Sequence, residues 1–183
     1  MTAPTTPSST APALSRLYAA RFAFALSWAV VVLIAASEIN PFVGTLLVLY
    51  PVYDLVATAA DARLSGSSTP RSALLVNAAV SAAAAVALGL AAASGIPAVL
   101  RVWGAWAIVA GIAQLVVALR RRSLGGQVPM IVSGAISALA GGSFAAMASQ
   151  DDPSLSALGG YALLGALFFL VSSILLRRNA QKV

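Results

Sequence analysis

Apolar residues fall in six blocks along the chain: Phe22 to Ile39, Phe42 to Ala60, Ser72 to Ala93, Val99 to Leu119, Val128 to Ala148 and Ala157 to Leu176. A helix rises about 1.5 Å per residue and a bilayer's hydrocarbon core is about 30 Å thick, so blocks of this length predict transmembrane helices. The expected fold is all-α, a polytopic membrane bundle of six transmembrane helices. Residues 1–20, which open MTAPTTPSSTAPALS, are rich in Pro, Ser and Thr and predict a disordered cytoplasmic tail. The transmembrane domain then spans residues 21–178, with a short second tail at 179–183. A cleaved signal peptide competes for the N-terminal segment, with Arg16 and Arg21 ahead of an apolar run and Ala35-Ala36-Ser37 as the cleavage site.

The connectors alternate in charge. Glu38 and Asn40 follow the first block, Asp61, Arg63 and Arg71 the second, and the uncharged Ser94-Gly95-Ile96-Pro97 the third. Arg120-Arg121-Arg122 follow the fourth, Gln150-Asp151-Asp152 the fifth, and Arg177, Arg178 and Lys182 the sixth. Basic residues thus gather at the end that also holds Arg16 and Arg21, which makes both termini cytoplasmic by the positive-inside rule. Each outer connector carries a proline, Pro41, Pro97 or Pro153, at the expected first position of the next helix, where its missing N–H costs nothing.

The hairpins also align with one another. RFAFALSWAV from Arg21, RSALLVNAAVS from Arg71 and QVPMIVSGAIS from Gln127 bring Ser27, Asn77 and Ser133 into one column. The second helices put Tyr53, Trp106 and Tyr161 in another. This predicts three tandem hairpin repeats, about 21–63, 71–122 and 127–178, around a pseudo-threefold axis along the membrane normal. It also argues against cleavage, which would halve the first repeat. The repeat, GAWAIVAGIAQLVVALRRR from Gly104 and GQVPMIVSGAISALAGG from Gly126 together resemble the HdeD-like short-repeat membrane proteins. The resemblance covers about residues 20–178 and implies a six-helix membrane protein without a catalytic motif, from a family associated with acid resistance in one enterobacterial member.

Composition narrows the chemistry. Of 183 residues, 60% are hydrophobic and 9% charged, with a mean hydropathy of +0.94. Such a chain takes lipid as its main partner. There is no cysteine and no histidine, which removes thiolate chemistry, the usual general base and the commonest metal ligands. No catalytic, cofactor or metal site is expected, and the protein is not expected to be an enzyme. The net charge of +6 comes from arginines at block ends and does not point to nucleic acid. These residues specify neither a small-molecule or ion ligand nor whether the chain self-associates as a homo-oligomer.

Against this background YPVYDLVATAADAR, from Tyr50, stands out, because it places Asp54 and Asp61 in an apolar block. On a helix, Tyr50, Asp54, Ala57 and Asp61 form one stripe within about 60°. Asp54 lies roughly 20 Å below Pro41, inside the bilayer, whereas Asp61 is expected at the cytoplasmic interface. A carboxyl group at that depth costs about 2.5–3.5 kcal/mol and should face the bundle. Asn77 and Gln114 sit at similar depth as partners, with Ser27, Thr58 and Ser133 extending an uncharged polar layer. Pro51, inside the helix, withholds a donor from the Leu47 carbonyl. Gly134, Ala138, Gly141 and Gly142 would let the fifth helix approach a neighbour closely. Trp103 and Trp106 are expected as packing residues, and Glu38 with Arg101 either as a pair or as two solvated charges.

Two functions are compatible with this layer. One is a non-catalytic integral membrane protein with a structural, stress or acid-resistance role, in which the cluster fixes helix packing. The alternative is a small proton- or cation-coupled transporter or channel using Asp54, with Asp61 as the access charge. The topology predicts that a single cysteine at Ser154 is labelled by an impermeant thiol reagent in intact cells while one at Ser123 is protected. The reverse pattern would invert the orientation.

Overall fold

The computed structural model describes residues 10–64 and 71–181. Among them are six long helices and no strand: α1 Thr10–Ala35, α2 Pro41–Leu64, α3 Arg71–Ala92, α4 Ile96–Arg120, α5 Val128–Met147 and α6 Ser156–Ala180, with one 3-10 turn at Arg122–Leu124. The shortest, α5, has 20 residues and is about 30 Å long, so all six can cross a hydrocarbon core. Asn40 caps α2 by accepting the Val43 N–H on Oδ1 at 2.9 Å. Pro41 starts α2 and Pro97 falls in the first turn of α4 as expected, but α6 starts only at Ser156, beyond Pro153.

The N-terminal expectation needs correction. α1 begins at Thr10, about three turns before Arg21, so residues 10–20 are helix and not a disordered tail. Pro12 is tolerated because it falls in the first turn. Leu14 and Tyr18, one turn apart, are buried against Ala118, Met130 and Leu176. The Ser15 hydroxyl donates to the Ser173 carbonyl and the Ser173 hydroxyl donates back to the Ser15 carbonyl, both at 2.8 Å. Residues 1–9 and Lys182 of the expected tails lie outside the described residues.

The helices close a ring in chain order, each packing on the helices before and after it and α1 on α6. The most extensive interfaces are α4–α5, α1–α6 and α2–α3, which join neighbouring hairpins, while the pairs within the expected hairpins share less. The outer surface is apolar: Ile34 is 80% exposed, Leu139 77% and Leu90 72%. Side chains of that kind along spanning helices belong in lipid, which makes this a multi-pass integral membrane protein.

Two apolar cores fill the inside. The larger, in the half away from the arginine-rich end, holds Trp28, Val32, Val43, Leu47, Leu88, Leu100, Trp103, Phe144 and Leu158. As expected, Trp103 and Trp106 pack: Trp103 stacks on Trp28 at 5.3 Å and meets Trp106 edge-on at 5.3 Å between ring centroids. The Trp28 indole N–H donates to the Leu46 carbonyl at 2.7 Å, in the turn ahead of Pro51. The smaller core, around Leu14, Tyr18 and Met130, lies toward the arginine-rich end.

Close backbone approach explains the α4–α5 interface. A methyl group on Gly104 would lie 2.6 Å from the Gly141 carbonyl oxygen, and one on Gly111 2.7 Å from that of Gly134. Gly142, expected in the same contact, has nothing within 4 Å, because it points off the shared face. Gly111→Ala should therefore lower the thermal midpoint in detergent by the equivalent of about 1–3 kcal/mol, the usual cost of overpacking. Gly142→Ala should leave the midpoint unchanged.

Candidate functional site

Between the two cores runs a polar layer built from four helices. Arg21 on α1 donates through Nη1 to Asp54 Oδ1 at 2.7 Å and through Nη2 to Thr58 Oγ1 at 3.1 Å. Asn77 on α3 donates from Nδ2 to Asp54 Oδ2 at 2.8 Å and to Thr58 Oγ1 at 2.9 Å. The Ser81 hydroxyl donates to Asp54 Oδ2 at 2.8 Å, and the Trp106 indole on α4 donates to Ser81 Oγ at 3.0 Å. Because both acceptors around Asn77 are oxygens, its amide orientation is set by the network. The side chains of Arg21 and Asp54 are only 12% and 14% exposed.

A second pair lies two turns further along the same stripe. Arg121, just past the end of α4, forks onto Asp61, with Nη2 to Oδ1 at 2.6 Å and Nη1 to Oδ2 at 3.0 Å. Burial opposes the Arg121 cation, but the hydrogen bonds and charge of Asp61 raise its pKa above the usual arginine value. Asp54, Thr58 and Asp61 thus share the inward face of α2, as their spacing predicts.

Several expected placements change. The layer is not uncharged, because Arg21 sits at its centre; with α1 starting at Thr10, Arg21 lies well inside the span. Asp61 lies within one turn of the end of α2, but it is not open to solvent: it is 5% exposed and held by Arg121, an arginine expected only as a topology signal. Ser27 is exposed on the outer face of α1, because that helix turns Arg21, Ala25, Trp28 and Val32 inward. Gln114 does not reach Asp54, whose oxygens Arg21, Asn77 and Ser81 already occupy, and donates to the Met130 carbonyl at 3.1 Å. Ser133 is buried and lines a cleft with Asp54, whose three hydrogen bonds come from Arg21, Asn77 and Ser81. Tyr50 belongs to the aromatic cluster, edge-on to Trp28 at 4.7 Å and to Trp106 at 5.8 Å. Arg101 contacts the Ala148 carbonyl at 3.5 Å, and no ion pair with Glu38 occurs among the described residues.

Arg21 was nonetheless findable. Pro41, Pro97 and Pro153 are equally spaced along the chain, and the same spacing connects Arg21, Asn77 and Ser133. Alignment on the prolines, instead of on the arginines at 21 and 71, puts Arg21 and not Ser27 in the column with Asn77 and Ser133.

Two clefts of about 60 Å³ each flank the layer. The one toward the arginine-rich end is lined by Tyr18, Asp61, Leu74, Val117 and Met130; the other by Tyr50, Tyr53, Trp106, Ser133, Ser137 and Tyr161. Arg21, Asp54, Gln114 and Phe169 line both. The Arg21 guanidinium lies 5.4 Å from the Phe169 ring centroid, and its Nε is buried without a hydrogen-bond acceptor. Among the described residues no group of three acidic side chains gathers as metal ligands. No family model, curated protein or solved structure matches this chain.

Proposed function

We propose that this is a non-catalytic protein of a bacterial inner membrane, with its arginine-rich end cytoplasmic, whose buried ion pairs lock a six-helix bundle. The observation that carries this reading is the engagement of Asp54 across three helices: its oxygens accept three protein hydrogen bonds, from Arg21 on one side and from Asn77 and Ser81 on the other. Polar groups that bond to one another across helices act as fasteners between them. The resemblance to HdeD-like proteins adds a stress or acid-resistance context.

Tandem hairpins are part of the same reading. Tyr18, Leu74 and Met130 are equally spaced and buried, as are Ala25, Ser81 and Ser137, and Val32, Leu88 and Phe144. That register supports three copies of one hairpin, with the acids carried only by the first.

The second reading, proton- or cation-coupled transport at Asp54, has the two clefts against the layer in its favour. A cation, however, would meet the Arg21 guanidinium, which already neutralises Asp54 at 2.7 Å. Purified protein in liposomes loaded with a pH-sensitive dye should therefore take up no more protons than empty liposomes under an imposed gradient. Gradient-driven uptake that disappears in an Arg21→Gln, Asp54→Asn double variant would put transport in place of the structural role.

A further inference from the structure

At the arginine-rich end, a cleft of about 400 Å³ lies between the start of α1 and the end of α6, lined by Pro12, Ser15, Arg16, Arg177, Ala180 and Gln181 among others. Ser15 is already spent, because its hydroxyl and that of Ser173 donate to each other's backbone carbonyls. The two arginines are not. The chain has five acidic residues. Asp54 and Asp61 are held by Arg21 and Arg121, while Glu38, Asp151 and Asp152 lie in connectors at the opposite end. Among the described residues no carboxylate therefore pairs with Arg16 or Arg177, and both are exposed. Arg16 directly follows Ser15, and Arg177 lies one turn beyond Ser173, toward the arginine-rich end. Because Cα–Cβ bonds tilt toward each helix's N-terminus and α1 and α6 run antiparallel, the two side chains lean toward one level. Two cations thus share one concavity, while the dipole ends of α1 and α6 beside it have opposite signs and offset each other.

We propose that this cleft binds the phosphate of an anionic phospholipid, gripped by Arg16 from α1 and Arg177 from α6. Guanidinium groups match phosphate oxygens bidentately, and basic pockets between helix ends are where membrane proteins hold acidic headgroups. A headgroup with its own ammonium would bring a third cation to the two arginines, so net negative charge is favoured. The occupant is a lipid and not a free phosphate ion because the cleft lies where the spans end and an apolar path leads to it. Leu167, Val171 and Ile174, each exposed, form one stripe on α6 that ends one turn before Arg177, so acyl chains can lie along it with the phosphate in the cleft. In the register set by the prolines, Arg177 corresponds to Arg121 and Val117 to Asp61, so the position that neutralises Arg121 is apolar for Arg177. This assignment goes beyond the structural role of the buried ion pairs, uses neither of them, and holds for either orientation of the bundle.

The test is native mass spectrometry of the full chain, released from detergent micelles holding equal amounts of phosphatidylglycerol and phosphatidylcholine with matched acyl chains. Wild type should retain phosphatidylglycerol preferentially. Arg16→Gln and Arg177→Gln should each lower the retained ratio about fivefold, the share of one arginine near an acidic headgroup, and the double variant should lower it further. Arg122→Gln removes an exposed arginine at the same end but outside the cleft and should leave the ratio unchanged. Because Arg16 and Arg177 are exposed and pair with no described carboxylate, their variants should keep the wild-type thermal midpoint. Inorganic phosphate in molar excess should not displace phosphatidylglycerol. Equal retention of the two lipids by wild type overturns the proposal, as does an unchanged ratio in the cleft variants. A loss as large in Arg122→Gln marks a diffuse positive surface and overturns it too. Displacement by inorganic phosphate gives the cleft to the free ion and ends the lipid assignment.

Discussion

Charge cannot be left alone in a bilayer. An arginine or aspartate at mid-membrane costs about 2.5–3.5 kcal/mol on insertion, and this bundle buries one such pair within the spans and a second at the arginine-rich end of α2 and α4. The structure meets that constraint by pairing: Arg21 with Asp54, and Arg121 with Asp61. Both carboxylates come from one face of α2, so that helix is the hub. Arg21 ties it to α1, Asn77 and Ser81 tie it to α3, and Arg121 ties it to the end of α4. The α1–α2 interface is among the smaller ones in the ring. A charge-assisted contact therefore stands where apolar packing is thin.

The apolar parts of the fold complement this arrangement. Water does not drive helices together in lipid, so close packing and interhelical hydrogen bonds must do so. The glycines of α4 and α5 supply the first without any polar group. The α1–α6 interface uses the reciprocal Ser15–Ser173 bonds, and the Trp28–Trp103 cluster closes the half of the bundle that has no charges inside. The division is clear: one half holds both ion pairs and the two clefts beside them, and the other is filled by the larger apolar core.

What could be read from the sequence, and what could not, has a physical division too. The six spans were legible because hydropathy over a whole block averages out local detail. Asp54, Asn77 and Thr58 were legible because a carboxyl group at that depth requires partners of matching depth. Arg21 was missed for the opposite reason. Its charge was assigned to the interface because the Pro, Ser and Thr preceding it looked unable to bury anything, although Leu14 and Tyr18 do. Ser27 was misplaced because helix rotation is set by packing against α6 and α2, to which a polar residue of low cost is indifferent. Arg121 looked like its neighbours Arg120 and Arg122, and only the position of Asp61 distinguishes it.

The central claim, that coupling between Arg21 and Asp54 holds the bundle, is tested most directly by a double-mutant cycle read as unfolding free energy in mixed micelles. Arg21→Gln and Asp54→Asn alone each strand a buried charge and should each cost about 3 kcal/mol or more. The double variant, in which two neutral amides face each other, should lose clearly less than the sum of the single losses. Additive losses, or single variants as stable as the wild type, would contradict the account.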